Sequence, residues 1–265
     1  STDEMMTNEL PGWALGGFVR PTIESPVLSP RTNTSFYCPM HKQKIKWEES
    51  DVFNPASVVH KDKLCVLYRA EDNSAKGIGK RTSRIGLATT TDGVHFKREK
   101  RPVMFPAEDN MKDFEWPGGC EDPRVVKCED GTYVMTYTSW NRKIFRLCVA
   151  TSKDLKHWTK HGPAFAKCFD GRFKDMACKS ASILTKIENG EQVVTKLNGK
   201  YFMYRGERHI HAAVSDNLID WTPVLNPEEK LAIVAQPRKG FFDSGLTECG
   251  PPAVLTDHGI VLIYN

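Results

Sequence analysis

Apolar residues in this chain gather in short runs separated by polar turns, and that rhythm predicts strands throughout. Leu64 to Tyr68, Thr132 to Tyr137, Leu147 to Ala150, Ala253 to Leu255 and Ile260 to Tyr264 are each strand-sized, and turns containing Gly, Asp or Asn separate the strands. No stretch carries the longer period of an extended amphipathic helix, so the expected class is all-β.

The runs repeat. Ala88-Thr89-Thr90-Thr91-Asp92-Gly93-Val94-His95-Phe96 is echoed by Ala150-Thr151-Ser152-Lys153-Asp154-Leu155-Lys156-His157-Trp158, and again by Ala213-Val214-Ser215-Asp216-Asn217-Leu218-Ile219-Asp220-Trp221. The closing aromatics fall at 96, 158 and 221, a period of 62 to 63 residues. Upstream of each copy a short apolar strand leads through a polar turn into a strand ending in Tyr. Examples are Asn54 to Val59 into Leu64 to Tyr68, and Asp122 to Val126 into Thr132 to Tyr137. Each unit therefore reads as four short strands, the blade of a β-propeller. In the third unit the inner strand Ser180 to Leu184 reaches its partner, Lys200 to Tyr204, only after an insertion.

Three units and half of a fourth occupy residues 51–265, within a single expected domain over 1–265. Residues 1–50, rich in Pro and polar side chains, read as an N-terminal arm. Because propellers close their ring and leave no open strand edge, the last part of the ring is expected beyond residue 265.

Composition narrows the function. The net charge of +4 arises from 37 basic and 33 acidic residues dispersed along the chain, without the dense basic run of a nucleic-acid or polyanionic surface. No apolar stretch approaches the roughly 18 residues of a membrane helix. The eight cysteines show no Cys-x-x-Cys pair or zinc-site spacing, and Cys65 and Cys148, inside strands, read as buried free thiols. A chain that opens on Ser1 suggests a processed start, of which a secretory signal is one source; this favours a periplasmic or extracellular location, with a cytoplasmic one as the alternative.

In a propeller the first strand of every blade lines the central channel, so its opening positions converge. These are Asn54, Asp122, Lys179 beside Ser180, and Glu248 shortly before Pro251. The ends of the second strands add Arg69 and Glu71, Thr138, Arg205 and Glu207, and Asn265. Polar groups recur where a core strand would need none. Several carboxylates in a sugar-sized funnel suit glycosidic cleavage, in which one acid protonates the leaving oxygen and a second group activates the nucleophile. Taken alone, Asp122 serves equally well as the turn residue before Pro123. Trp116, Trp140 and Phe242 are equally suited to stacking on a sugar ring and to packing. Arg84 and Arg124 are candidate ligands or partners for Glu71 and Glu121. His95 and His157, repeated beside the closing aromatic, are expected to be packing residues.

The segments Asp51-Val52-Phe53-Asn54-Pro55-Ala56, Leu67-Tyr68-Arg69-Ala70-Glu71-Asp72, Ser83-Arg84-Ile85-Gly86-Leu87-Ala88 and Gly118-Gly119-Cys120-Glu121-Asp122-Pro123-Arg124 resemble family 130 of the glycoside hydrolases and phosphorylases. The resemblance runs from about Pro11 to the end. It implies a five-bladed propeller acting on β-mannosides with inversion, and it makes Asp122 the proton donor. It also implies that Asn54, Arg69 and Asp72 hold the terminal mannose, with Arg84 nearby. No metal or organic cofactor is expected.

The family contains hydrolases and phosphorylases. A phosphorylase gathers cations around phosphate, whereas an inverting hydrolase needs a carboxylate base opposite the acid. Tyr204-Arg205-Gly206-Glu207 and Asp243-Ser244-Gly245-Leu246-Thr247-Glu248 set glutamates where they would repel phosphate. The expectation is an exo-acting hydrolase of β-1,2-linked mannosides with Glu207 or Glu248 as base, and with Lys179 and Asp243 among the substrate-binding residues. Arg142, Arg146, Lys179 and His209 remain able to assemble a phosphate site, so a mannoside phosphorylase is the first alternative. A carbohydrate-binding propeller without catalysis is the second.

Overall fold

A computed structural model describes residues 27–240 and 247–264. The first two strands, β1 (Phe36–Cys38) and β2 (Gln43–Ile45), form a hairpin. The segment that follows docks on the first blade, where Trp47 and Glu48 are wholly buried. Glu48 anchors it, accepting hydrogen bonds from Thr34 at 2.9 Å and the Tyr68 hydroxyl at 2.6 Å, and pairing with Arg98 at 3.2 Å.

The first blade is β3 (Asp51–His60), β4 (Lys63–Glu71), β5 (Ser83–Thr90) and the short β6 (Lys97–Arg98), all antiparallel. After the single-turn helix α1 (Lys112–Glu115), the second blade follows as β7 (Gly119–Lys127), β8 (Tyr133–Trp140), β9 (Phe145–Ser152) and β10 (Thr159–Pro163). A parallel bridge, Ser83 with Gly119, joins the two. The third blade begins at β11 (Ala181–Ile183).

In that blade the inserted segment leaves the sheet. β12 (Thr185–Glu188) and β13 (Glu191–Val194) form a hairpin, and β14 (Lys196–Leu197) returns to pair with β15 (Lys200–Arg205). The blade then continues with β16 (Ile210–Ser215), β17 (Trp221–Pro223) and the flanking β18 (Ile233–Ala235). The hairpin belongs to a fourth sheet, where β12 runs parallel to β19 (Val254–Thr256) and β19 pairs with β20 (Gly259–Val261). The all-β propeller expected from the repeat is the fold of the chain, and the described residues supply three blades and this fourth sheet.

Blades pack face to face through the apolar side of each strand. Between the first and second lie Leu67, Ile85, Met135 and Tyr137, and between the second and third lie Val149, Phe165, Met203 and Trp221. All eight cysteines are free, and Cys65 and Cys148 are buried in these layers as expected.

The repeated nine-residue segment is a turn stabilised by its own polar side chains. Ser152 Oγ accepts from the Leu155 N–H, and Asp154 Oδ1 accepts from those of Lys156 and His157. Thr90 with Asp92, and Ser215 with Asn217, repeat the device. The histidines correct an expectation: His95 and His157 do not pack. Their side chains are 87% and 88% exposed and pair with Asp92 and Asp154, so they recur because the turn needs its aspartate capped.

Candidate active site

Three residues of the inner strands have left-handed backbones: Asn54 (φ 46°) and Asp122 (φ 49°), each three residues inside β3 and β7 rather than at their heads, and Ser180 (φ 64°), immediately before β11. At the first two, the register of the ladder shifts, between Phe53 and Ala56 and between Glu121 and Arg124. Each is a bulge, which turns one side chain out of the strand's alternation. Asn and Asp tolerate this conformation better than most residues, and the prolines that follow them have no N–H to lose from the ladder.

The bulges bring Asn54 and Asp122 together. Asn54 Nδ2 donates to Asp122 Oδ1 at 2.8 Å, and Arg69 Nη1, from the end of β4, reaches the same oxygen at 3.1 Å. Asp122 Oδ2 makes no hydrogen bond to another described residue. Arg69 is buried and fully committed: Nη2 bridges Glu71 at 3.0 Å and Glu121 at 2.9 Å, and Nε donates to Ser83 Oγ at 3.0 Å. Its guanidinium also lies over the Phe53 ring. One guanidinium thus faces three carboxylates, with Arg81 next to Glu71 at 3.6 Å. Burial pushes Glu121 up to about 7, against the pull of Arg69 and with the help of Asp122 and Glu71. Burial raises Glu71 as well, though Arg69 and Arg81 oppose it.

Asp72 and Arg84 form a second, wholly internal layer, paired at 2.8 Å with exposures of 2% and 0%. Burial alone would raise the Asp72 carboxyl, but Arg84 and hydrogen bonds from Arg84 and Ser74 outweigh it and hold the group below its ordinary range. Arg84 reaches no solvent, so it acts on a sugar only by holding Asp72. Its partners, Asp72 and Cys38, are not the Glu71 or Glu121 considered from sequence. Arg124 likewise turns away from both and donates to the Cys249 carbonyl at 3.1 Å.

The remaining acids meet where the third blade joins the fourth sheet. The Cys249 N–H donates to the Gly206 carbonyl at 3.3 Å, and the Gly206 N–H to the Lys179 carbonyl at 3.0 Å. These bonds bring Glu207, Glu248, Lys179 and Ser180 into one cluster. Lys179 Nζ pairs with Glu207 at 3.2 Å, and Ser180 Oγ donates to Glu248 at 2.5 Å. Of the charges that act on the Glu121 carboxyl, Lys179 draws it down, in the same sense as Arg69.

Other candidates separate. Asp243, Phe242 and Asn265 lie outside the described residues. Arg142 is engaged by the Lys80 carbonyl and Arg146 by Asp175. The indole N–H groups of Trp116 and Trp140 donate to the Ala107 and Gly79 carbonyls. Sequence reasoning set Ser180 beside Lys179 at the converging inner-strand positions without giving it a partner, and it passed over Ser83 as a hydrogen-bonding member of the site.

The model of glycoside hydrolase family 130, described as beta-1,4-mannooligosaccharide phosphorylase, matches residues 23–265. This chain belongs to glycoside hydrolase family 130. The family is one of enzymes acting on β-mannosides. Among curated relatives, a 1,2-beta-oligomannan phosphorylase of Thermoanaerobacter sp. (strain X514) is 32% identical over 85% of this chain and 68% of its own length. Among solved structures, a glycosyl hydrolase from Bacteroides ovatus superposes with a TM-score of 0.95 at 60% identity, over 97% of this chain and 72% of that one. A family 130 structure with a TM-score of 0.95 and 59% identity, over 97% of this chain and 72% of that one, accompanies the report that this family of mannoside phosphorylases contains glycoside hydrolases targeting beta-1,2 mannosidic linkages in Candida mannan.

Proposed function

We propose that this family 130 chain belongs to an exo-acting, inverting β-mannosidase that hydrolyses β-1,2-linked mannosides, with Asp122 as general acid and Glu207 or Glu248 as general base. The observation that carries the reading is the joining of those two glutamates through the Gly206–Cys249 backbone bond, on blades other than that of Asp122. Two carboxylates there oppose a phosphate dianion, and a carboxylate is what an attacking water needs.

Asp122 is prepared for proton donation at one oxygen. Asn54 and Arg69 occupy Oδ1, which leaves Oδ2 to carry the proton towards the glycosidic oxygen. As the C1–O bond breaks, that oxygen takes the proton and the aglycone leaves as an alcohol. The glutamate removes a proton from water, whose oxygen bonds to C1 from the opposite face, and α-mannose results. The 59% identity to a structure reported with glycoside hydrolases that target beta-1,2 mannosidic linkages supports hydrolysis of that linkage.

Phosphorolysis is the second reading, favoured by the curated relatives named phosphorylases and by Lys179 beside the glutamates. The deciding experiment is product analysis on β-1,2-mannobiose with and without inorganic phosphate, following the anomer by proton NMR. Hydrolysis gives α-mannose at equal rates in both. Mannose 1-phosphate formed only with phosphate overturns the proposal.

A further inference from the structure

Two loops at the mouth of the site carry charge that the scheme above leaves unused. The first, residues 73–82, follows Asp72 between β4 and β5, and the second, residues 141–144, joins β8 to β9. Between them they hold Lys76, Lys80, Arg81, Arg142 and Lys143 and no acidic residue. We propose that Lys76, Lys80, Arg142 and Lys143 form a cationic rim that binds an anionic group, of the phosphate-ester class, carried on the leaving-group side of the mannoside. The inference rests on the proposed function, since it takes the leaving group to lie on the side of Asp122.

The ladders place the loops. Glu71 pairs with Asp51 on one side and Ser83 on the other, so the first loop leaves its blade at the end where Asn54 lies. Trp140 pairs with Gly119 and with Phe145, so the second leaves at the end nearer Asp122. Gly119 precedes Asp122 by three residues of β7, about 10 Å of strand, a reach that a leaving-group sugar and a substituent on it can span.

The loops are fastened to each other. Trp140 Nε1 donates to the Gly79 carbonyl at 2.9 Å, and Arg142 Nη2 to the Lys80 carbonyl at 2.5 Å. Arg81 Nε closes the first loop on the Ala75 carbonyl at 2.9 Å. The cations are thereby gathered over one seam, where Ser83 of the first blade bridges to Gly119 of the second.

The protein does not neutralise them. Arg81 pairs with Asp51 and Glu71, but the other four are exposed, and none of them pairs with a carboxylate among the described residues. The acids below are spent: Arg69 takes Glu71, Glu121 and Asp122, and Arg84 takes Asp72. Asp113, the acid nearest the second loop in its hydrogen bonds, meets it through a backbone carbonyl, which accepts from Asn141 Nδ2 at 3.0 Å.

The opposite wall has the other sign. Glu207 and Glu248 lie where the third blade meets the fourth sheet, and the cation among them, Lys179, is engaged by Glu207. An anion is therefore opposed on the side of the attacking water and favoured on the side of the leaving group. A single exposed cation binds weakly, whereas several on two fastened loops can share the oxygens of one phosphate ester through charge-assisted hydrogen bonds.

The test compares kcat/KM of the wild-type full chain on β-1,2-mannobiose and on β-1,2-mannobiose whose reducing mannose carries an α-1-phosphate. The phosphorylated substrate should be preferred by about tenfold in about 20 mM salt, and the preference should shrink to about threefold or less in about 0.5 M salt. In the double variant Lys80→Gln/Lys143→Gln the ratio between the two substrates should fall to within about twofold of unity at low salt. Because a ratio is read, a general loss of activity that moves both substrates together does not imitate the effect.

Equal kcat/KM for the two substrates in the wild type overturns the proposal. So does a preference that the double variant keeps, which would put the anion elsewhere, beside Lys179 for instance. If plain mannobiose is not hydrolysed, the proposed function fails on its own account, and titration calorimetry with the same two disaccharides decides the rim. Binding of the phosphorylated one about tenfold more tightly, with the difference lost in the double variant, is then expected, and equal binding overturns it.

Discussion

The amide of Asn54 donates to Asp122 Oδ1 at 2.8 Å across the boundary between two blades, from one left-handed bulge to another. The same irregularity in two repeats thus makes one site. A position that costs backbone energy in each blade is kept where the two side chains meet.

Asn54→Gly tests what that contact does. Glycine accepts a φ of 46° without strain, so the fold should hold and the melting temperature change little. The anchor on Oδ1 is lost, however, and turnover of β-1,2-mannobiose should fall by about 10- to 100-fold, the upper figure being the order expected for a catalytic group misplaced by about 1 Å. Asn54→Val should lose the same activity and in addition about 1–2 kcal/mol of stability, read by chemical denaturation, because a branched side chain resists that φ.

The two glycines before the acid are required by space. A Cβ on Gly119 would lie 2.0 Å from the Ser83 carbonyl oxygen at a φ of 109°, and one on Gly118 would lie 2.2 Å from the Trp140 ring. At this place the Ser83 N–H donates to the Gly118 carbonyl at 2.9 Å and the first blade meets the second. Gly119→Ala should cost about 3 kcal/mol by denaturant midpoint and misplace Glu121 and Asp122, with a fall in kcat larger than the change in KM.

Much of this was legible in the chain. The 62- to 63-residue period gave the blades, because a blade is a local unit whose turns are stabilised by their own Ser, Thr and Asp side chains. The polar residues that open the apolar runs gave Asn54 and Asp122. What the sequence could not supply was the pairing between blades. That Arg69 would be divided among Glu71, Glu121 and Asp122, or that Arg84 would be sealed against Asp72, depends on strand register and bulges that no local pattern encodes. The hairpin of β12 and β13 was visible only as an insertion, since its partner β19 lies about 70 residues further on.

The Asp72–Arg84 pair makes a prediction about acid stability. A carboxyl held below its ordinary range contributes stability that is present above the unfolded value of about 3.8 and lost as pH falls through its lower folded value. Asp72→Asn leaves Arg84 buried without its counter-charge and should cost about 3–5 kcal/mol at pH 7. Urea midpoints at pH 7 and pH 3 should differ less for this variant than for the wild type. A variant as stable as the wild type at pH 7 would show that Arg84 finds another partner.

The two glutamates are held in different ways, and this makes them separable. Glu207 is paired with the Lys179 ammonium at 3.2 Å, whereas Glu248 takes a 2.5 Å hydrogen bond from Ser180. Glutamine preserves shape in both but cannot take a proton from water. Replacing the base should lower kcat on β-1,2-mannobiose by roughly two to four orders of magnitude, while the same change at the other glutamate should cost about tenfold or less. Because a general base is required whatever leaves, the loss at the base should persist with a dinitrophenyl β-mannoside. A variant that loses activity on mannobiose alone would belong with Asp122, on the acid side of the reaction. If both variants keep full hydrolytic activity, neither glutamate activates water, and the hydrolytic reading loses its base.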